Sequence, residues 1–248
     1  MRVGLFITCV ADLFEPDVAV ATVRVLRAAG HEVVVPSGQT CCGQPAWNSG
    51  FADDAAKVAR TTLDALAAAD VEAIVAPAGS CTTMVRLFWP ELFELAGDHV
   101  AAERARSLGT LLFELTEFLD RHGMPELAPA AEDVAYHHSC HMLRELRLED
   151  APERALAAAG CTQVEWSAAQ RCCGFGGLFS FKLPETSESM ADDKLTTLVD
   201  TGCSSLVAAD SSCLMHLRGR AEHEGVKVKM RHIAQVLAER VPDQPKAG

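Results

Sequence analysis

Arg171-Cys172-Cys173-Gly174-Phe175-Gly176-Gly177 carries two adjacent cysteines followed by glycine, and Thr40-Cys41-Cys42-Gly43-Gln44 has the same arrangement earlier in the chain. The surroundings repeat as well. Cys9 precedes Cys41 by 32 positions, and Cys140 precedes Cys172 by the same 32. Cys81 follows Cys42 after 39 positions, and Cys213 follows Cys173 after 40. Eight of the ten cysteines therefore fall into two matching sets, Cys9/Cys41/Cys42/Cys81 and Cys140/Cys172/Cys173/Cys213. Self-similarity at a fixed offset marks an internal duplication. Two copies of one cysteine-rich unit are expected, over residues 1–123 and 133–241, joined through Met124, Pro125, Pro129, Ala130 and Ala131.

Within each copy, short apolar runs alternate with helical spacing. Residues 3–8, 31–36 and 72–76 read as strands in the first copy; residues 133–137, 162–166, 205–209 and 226–230 do so in the second. Residues 16–29, 53–69, 152–159, 188–201 and 214–223 read as helices, followed by a last helix ending at Arg240. The stretch 82–123 reads as helical throughout, with breaks near Pro90 and Gly97. Strands alternating with helices predict the α/β class: two pseudo-repeated βαβαβ units with parallel sheets covered on both faces. In such units ligands sit beyond the carboxyl ends of the strands. Cys9, Cys81, Cys140 and Cys213 each directly follow an apolar run, so the cysteine sites are expected there. Residues 242–248 are expected to form a frayed tail.

The 248 residues are 49% apolar, enough for a full core, and carry a formal net charge of −12. That charge argues against nucleic acid, whose phosphates need a basic patch, and against an anionic membrane surface. The first apolar run meets Asp12 and Glu15 too soon for a signal peptide or a membrane span. A cytoplasmic chain without membrane insertion is the expectation, and there cysteines serve as metal ligands or redox groups more often than as structural disulfides.

Adjacent side chains of an extended strand point to opposite faces, so a vicinal pair shares one site only where the backbone turns. Glycine directly after each pair supplies such a turn. Two sulfurs that close are awkward around one tetrahedral ion and fit better on neighbouring irons of a cluster, for which thiolates are the usual ligands. Zinc sites usually space their cysteine pairs by two to four residues, whereas Cys81 is followed three positions on by Met84 and Cys213 by His216. Zinc and a redox-active dithiol remain open beside the iron–sulfur reading. His216, one helical turn past Cys213, is a further candidate metal ligand. His137, His138 and His141 flank Cys140 as candidate ligands, proton carriers or donors to sulfur. Gly79-Ser80-Cys81 and Ser211-Ser212-Cys213 would bring the N–H groups of a helix start to the sulfurs, which favours thiolate. Cys161 and Cys203 read as small buried hydrophobes. Gly174-Phe175-Gly176-Gly177 fails the dinucleotide fingerprint because residue 179 is Phe. The acidic residues 185–188 and 192–193 read as a solvated helix face.

The stretches Gln39–Gly50, Gly79-Ser80-Cys81, Tyr136–His141, Cys172–Gly177 and Cys213–His216 together resemble the cysteine-rich domain (CCG domain) family. That family includes a cysteine-rich component of heterodisulfide reductase and the iron–sulfur subunits of glycolate oxidase and anaerobic glycerol-3-phosphate dehydrogenase. The chain is similar to its short two-domain members from lactate utilisation, which lack a ferredoxin extension. The resemblance implies an iron–sulfur redox subunit, with 4Fe-4S type clusters on the eight repeated cysteines. It further implies a cytosolic complex that oxidises L-lactate to pyruvate with two partner subunits, one carrying ferredoxin-type clusters. Heterodisulfide reductase relatives have an extra cysteine at the end of each set. Met84 and His216 stand there in this chain, so a five-cysteine cluster does not carry over. With neither a ferredoxin cysteine run nor a dinucleotide fingerprint, an electron-carrying subunit is expected rather than a self-sufficient dehydrogenase. A thiol–disulfide reductase-type subunit and a zinc-stabilised binding module are the alternatives.

Overall fold

The duplicated pattern folds into two four-stranded, all-parallel sheets in a computed structural model that describes residues 1–242. In the first half β1 (Arg2–Leu5) leads through α1 (Cys9–Phe14) and α2 (Pro16–Ala28) to β2 (Glu32–Val34). Then α3 (Gln44–Trp47) and α4 (Ala52–Ala67) lead to β3 (Ala73–Ala76). A helical crossover follows: α5 (Gly79–Thr83), a π-helical turn (Met84–Phe88), α6 (Trp89–Leu95) and α7 (His99–Gly109). It reaches β4 (Leu112–Glu114) and closes with α8 (Leu115–His122). The second half repeats the plan: β5 (Glu132–His137), α9 (Cys140–Arg144), α10 (Asp150–Ala158), β6 (Cys161–Gln163), α11 (Phe179–Lys182), α12 (Pro184–Asp200), β7 (Ser205–Ala208), α13 (Ser211–Glu224), β8 (Lys229–His232) and α14 (Ile233–Arg240).

Strand order is β2-β1-β3-β4 in one sheet and β6-β5-β7-β8 in the other. The central strands Ala73–Ala76 and Ser205–Ala208 are buried at every position, as expected where helices cover both faces and no polar side alternates. In each sheet the order reverses beside the first strand, between β1 and β3 and between β5 and β7. That reversal is where an open parallel sheet leaves a crevice at its carboxyl edge.

The halves join through equivalent surfaces. Helix α2 packs on α14 and α8 on α10, while α1 meets α13 and α5 meets α9. One shared core lies between the halves, where Val18, Val25, Phe118 and Leu119 join Leu156, Val236 and Leu237. Each half keeps a separate core on its outer face, around Leu63, Trp89 and Phe93 in the first and Leu195, Leu198 and Leu217 in the second. The approach of α5 to α9 needs a glycine: a Cβ on Gly79 would lie 2.5 Å from the Met142 Cβ.

Several expected elements are corrected. The stretch 82–123 is not helical throughout, because Leu112–Glu114 pairs with Ile74–Ala76 as β4. The first unit therefore gains a fourth strand, which matches the four read in the second, and both run βαβαβαβ. Strand β8 starts at Lys229 rather than at residue 226, since Gly225 ends α13 in the left-handed conformation (φ 70°) and residues 226–228 form the return loop. Strand β6 is likewise shorter than residues 162–166 and begins at Cys161. The expected tail falls outside the described residues from residue 243 onward. Among the described residues no helix is long and apolar enough to cross a membrane.

Strand ends also cap the last helices. Glu114 accepts the Thr116 N–H at 2.6 Å and the Thr116 hydroxyl at 2.5 Å, and His232 Nδ1 accepts the Ala234 N–H at 3.1 Å at the matching place. Glu114 is wholly buried, and burial pushes its carboxyl up from 4.5 to about 7. The unfolded chain releases this proton near 4.5 and the folded chain only near 7, so stability present at low pH is lost across that window. The loss is on the order of 3 kcal/mol. Glu114→Gln should flatten the fall in denaturant midpoint over that range, and an unchanged pH profile would count against this account.

Candidate metal centre

Both cysteine sets assemble at the crevices. In the first half, Cys9 opens α1 beyond β1, and Cys81 lies in α5 beyond β3. The Gln39 amide ties the Cys9 loop to the loop after β2 that carries Cys41: it accepts the Ile7 N–H at 2.8 Å and donates to the carbonyls of Leu5 and Pro36 at 3.1 and 2.9 Å. This brings Cys9 Sγ to 3.4 Å from Cys41 Sγ, and Cys42 Sγ lies 3.4 Å from Cys81 Sγ. The glycine turn is what permits both. Gly43 sits at φ 86°, a Cβ there would lie 2.9 Å from the Ala55 carbonyl oxygen, and its N–H donates to Cys41 Sγ at 3.4 Å. Two buried side chains hold the loop from below. The Thr62 hydroxyl donates to the Cys41 carbonyl at 3.1 Å and accepts the Thr40 N–H at 2.9 Å; Trp89 Nε1 donates to the Cys42 carbonyl at 2.8 Å.

The second half repeats this geometry with different supports. Cys172 feels the thiols of Cys140 and Cys173, and Cys173 those of Cys172 and Cys213. Gly174, at φ 93°, donates its N–H to Cys172 Sγ at 3.4 Å, and a Cβ there would lie 2.5 Å from the Ser187 carbonyl oxygen. Beneath the loop, where the first half has Thr62, stands the buried Lys194. Its ammonium donates to the carbonyls of Ala168 and of Arg171 (2.9 Å) and lies 4.2 Å from the centre of the Trp166 ring. Burial pulls that ammonium down to about 8, against the opposing pull of Cys173, Cys213 and Cys172.

One thiolate dominates each set. Cys41 is pulled down to about 3, chiefly by hydrogen bonds from Cys42 and Cys9. Cys172 falls to about 2 through Cys140 and Cys173. Their donors Cys9, Cys42, Cys140 and Cys173 are pushed up, first by that same bonding and then by burial. All ten cysteines are free thiols.

The remaining candidates go separate ways. His216 does lie on α13, but its Nε2 is 3.2 Å from the Ser187 hydroxyl. His138 Nε2 faces Glu153 at 3.9 Å and His141 Nδ1 faces Glu145 at 3.5 Å. His137 stays with the sulfurs: a ring nitrogen and the Sγ atoms of Cys173 and Cys213 all lie within 4.8 Å of one another. Its burial pulls the imidazole down to about 3, so it is neutral. Met84 packs in the outer core. Cys161 is a buried residue of β6, and Cys203 Sγ rests on the carbonyls of Ser205 and Asp133 at 3.3 and 3.5 Å.

Lys194, Thr62, Trp89 and Asp210 were not singled out from the sequence. For Lys194 a signal existed: Ala191, Lys194, Leu195 and Leu198 share the buried stripe of α12, so the lysine stands inside an apolar face. Asp210 bridges the halves. It accepts the Ser80 hydroxyl at 2.5 Å and the Ser80 N–H at 3.2 Å, while Gln44 Nε2 donates to the Ser80 carbonyl at 3.1 Å. Beside this bridge is a cavity of about 80 Å³, lined by Gln44, Pro45 and Ser80 from the first half and by Cys140, Cys172 and Asp210 from the second.

Two thiol-rich donor sets at the switch points of a duplicated parallel sheet define a cysteine-rich α/β protein with clustered sulfur suited to a metal or metal cluster. The chain belongs to the cysteine-rich domain (CCG) family, whose sequence profile matches residues 3–86 and 134–218. Lactate utilization protein A of Exiguobacterium sp. is 42% identical over 243 residues, covering 97% of this chain and 98% of that relative. The protein of the same name from Bacillus subtilis is 40% identical over 243 residues, covering 97% of this chain and 100% of that one. A hypothetical protein from Helicobacter pylori superposes with a TM-score of 0.63 at 10% identity over 99% of this chain, which spans 50% of its length. That likeness concerns the fold alone.

Trp89→Phe removes the donor to the buried Cys42 carbonyl and should cost about 1–3 kcal/mol in apoprotein unfolding. Gly174→Ala should cost about 1–2 kcal/mol from the left-handed backbone alone, with the clash at Ser187 added. Denaturant curves within a few tenths of the wild type would refute both roles.

Proposed function

We propose that this chain is the iron–sulfur redox subunit of a cytoplasmic complex that oxidises a 2-hydroxy acid, L-lactate, to pyruvate. The observation that carries the reading is the gathering of four sulfurs in each half, with pairs at 3.4 Å in the first, at the crevice where an open parallel sheet takes its ligand. Cys9, Cys41, Cys42 and Cys81 would hold one cluster and Cys140, Cys172, Cys173 and Cys213 a second. The donor chemistry fits: the sulfurs of each vicinal pair reach different neighbours, which suits several irons better than one tetrahedral ion. Bound in each set, a cluster supplies one-electron storage, so two sets match the two electrons released when a 2-hydroxy acid becomes a 2-oxo acid. The names of the relatives support lactate as the acid.

The chain's own residues position sulfur and stabilise charge. Gly43 and Gly174 aim an N–H at Cys41 and Cys172, which favours anionic sulfur. Thr62, Trp89 and Lys194 fix the loops, so the sulfurs need little reorganisation. The partners in this reading are two further subunits, one with ferredoxin-type clusters.

Thiol–disulfide exchange is the second reading, favoured by a thiolate in each set with thiol neighbours. Anaerobic iron and sulfide analysis with electron paramagnetic resonance decides between them. Iron with acid-labile sulfide is expected, roughly halved in Cys41→Ser and in Cys172→Ser. Colourless protein with stoichiometric zinc would sink the iron–sulfur reading, and turnover of a mixed disulfide by the isolated chain would favour the second.

A further inference from the structure

We infer that His137 supplies a nitrogen ligand to the metal group of the second cysteine set, so that the two halves carry chemically different centres. The inference rests on the reading that the cysteine sets hold metal, and it concerns how they differ. The first centre would be all-thiolate and the second mixed thiolate and imidazole.

Three features of His137 point this way. It ends β5 three residues before Cys140, with its side chain wholly buried. Its Nδ1 lies 3.4 Å from the Ala169 carbonyl, whose oxygen can only accept, so the proton belongs on Nδ1 and the lone pair on Nε2. A carbonyl behind one ring nitrogen is the usual device that orients a metal-binding histidine. That Nε2 is buried and has no hydrogen-bond partner. An orphaned buried acceptor costs free energy unless something fills its place, and its side chain stands with the Sγ atoms of Cys173 and Cys213, ligand atoms within 4.8 Å of one another.

The first half has no counterpart. Three residues before Cys9 stands Phe6, equally buried, with no donor atom. Nor does His216 compete in this arrangement, since its Nε2 meets the Ser187 hydroxyl at 3.2 Å. A neutral imidazole adds a donor without adding charge, so the second centre is less negative and has a higher reduction potential than it would with a fifth thiolate in that place. Cys140 and Cys172 of that set also line the cavity between the halves.

The test uses the full chain, reconstituted anaerobically with iron and sulfide after labelling its histidines with nitrogen-15. Pulsed electron paramagnetic resonance should detect one directly bound histidine nitrogen. The coupling should persist in His216→Ala and vanish in His137→Phe. His137→Cys exchanges the imidazole for a thiolate and should keep iron bound while shifting the reduction equilibrium of one centre at least tenfold, or 59 mV for a one-electron couple. Iron-loaded wild type without histidine coupling, or coupling that survives His137→Phe, overturns the inference and leaves the iron–sulfur reading standing. Wild type that takes up no iron overturns that parent reading, and this one with it.

Discussion

The site depends on the opposite departure of two neighbouring parallel strands. Connections leaving β1 and β3, or β5 and β7, diverge to opposite sides, and the gap between them is the one place where strand-end side chains meet without the backbone closing over them. Cys9 and Cys81 occupy those ends in one half, Cys140 and Cys213 in the other. The vicinal pair then arrives on the loop after the neighbouring strand. Its glycine, in the left-handed region and too close to the carbonyl of Ala55 or Ser187 for any Cβ, turns both sulfurs toward the gap.

Duplication preserved this topology and let the supports diverge. Thr62 beneath one loop corresponds to Lys194 beneath the other; Phe6 corresponds to His137; Ala78 before α5 corresponds to Asp210 before α13. The second half thus holds a buried cation, a neutral imidazole and a carboxylate where the first has a hydroxyl, a phenyl ring and a methyl group. Two sulfur sets of nearly equal spacing are placed in unequal electrostatic surroundings.

Much of this was legible in the residues because cysteine spacing and glycine carry strong local constraints. The sets, the α/β class, the strand-end positions and the turn after each pair all follow from them. Strand β4 was not legible: three residues are too few to show a period, and they stand between helical stretches. The offset of β8 arose because Gly225, a helix stop, also lengthens the return loop. Among four histidines near the cysteines, sequence spacing favoured His216 on the face of Cys213, whereas only the packed structure shows that Ser187 engages it. His137 sits at an alternating strand position, and which way that strand faces is a tertiary fact. Lys194 was masked by the acidic residues around it, which suggested solvent.

The back-to-back arrangement of cysteine-bearing helices has a mechanical consequence. Helix α1, which starts at Cys9, rests on the helix of Cys213; α5, with Cys81, rests on the helix that starts at Cys140 at a distance that admits no side chain on Gly79. Each sulfur set is therefore seated on helices that pack directly against the helices of the other, so the two sites share one wall rather than standing on separate lobes.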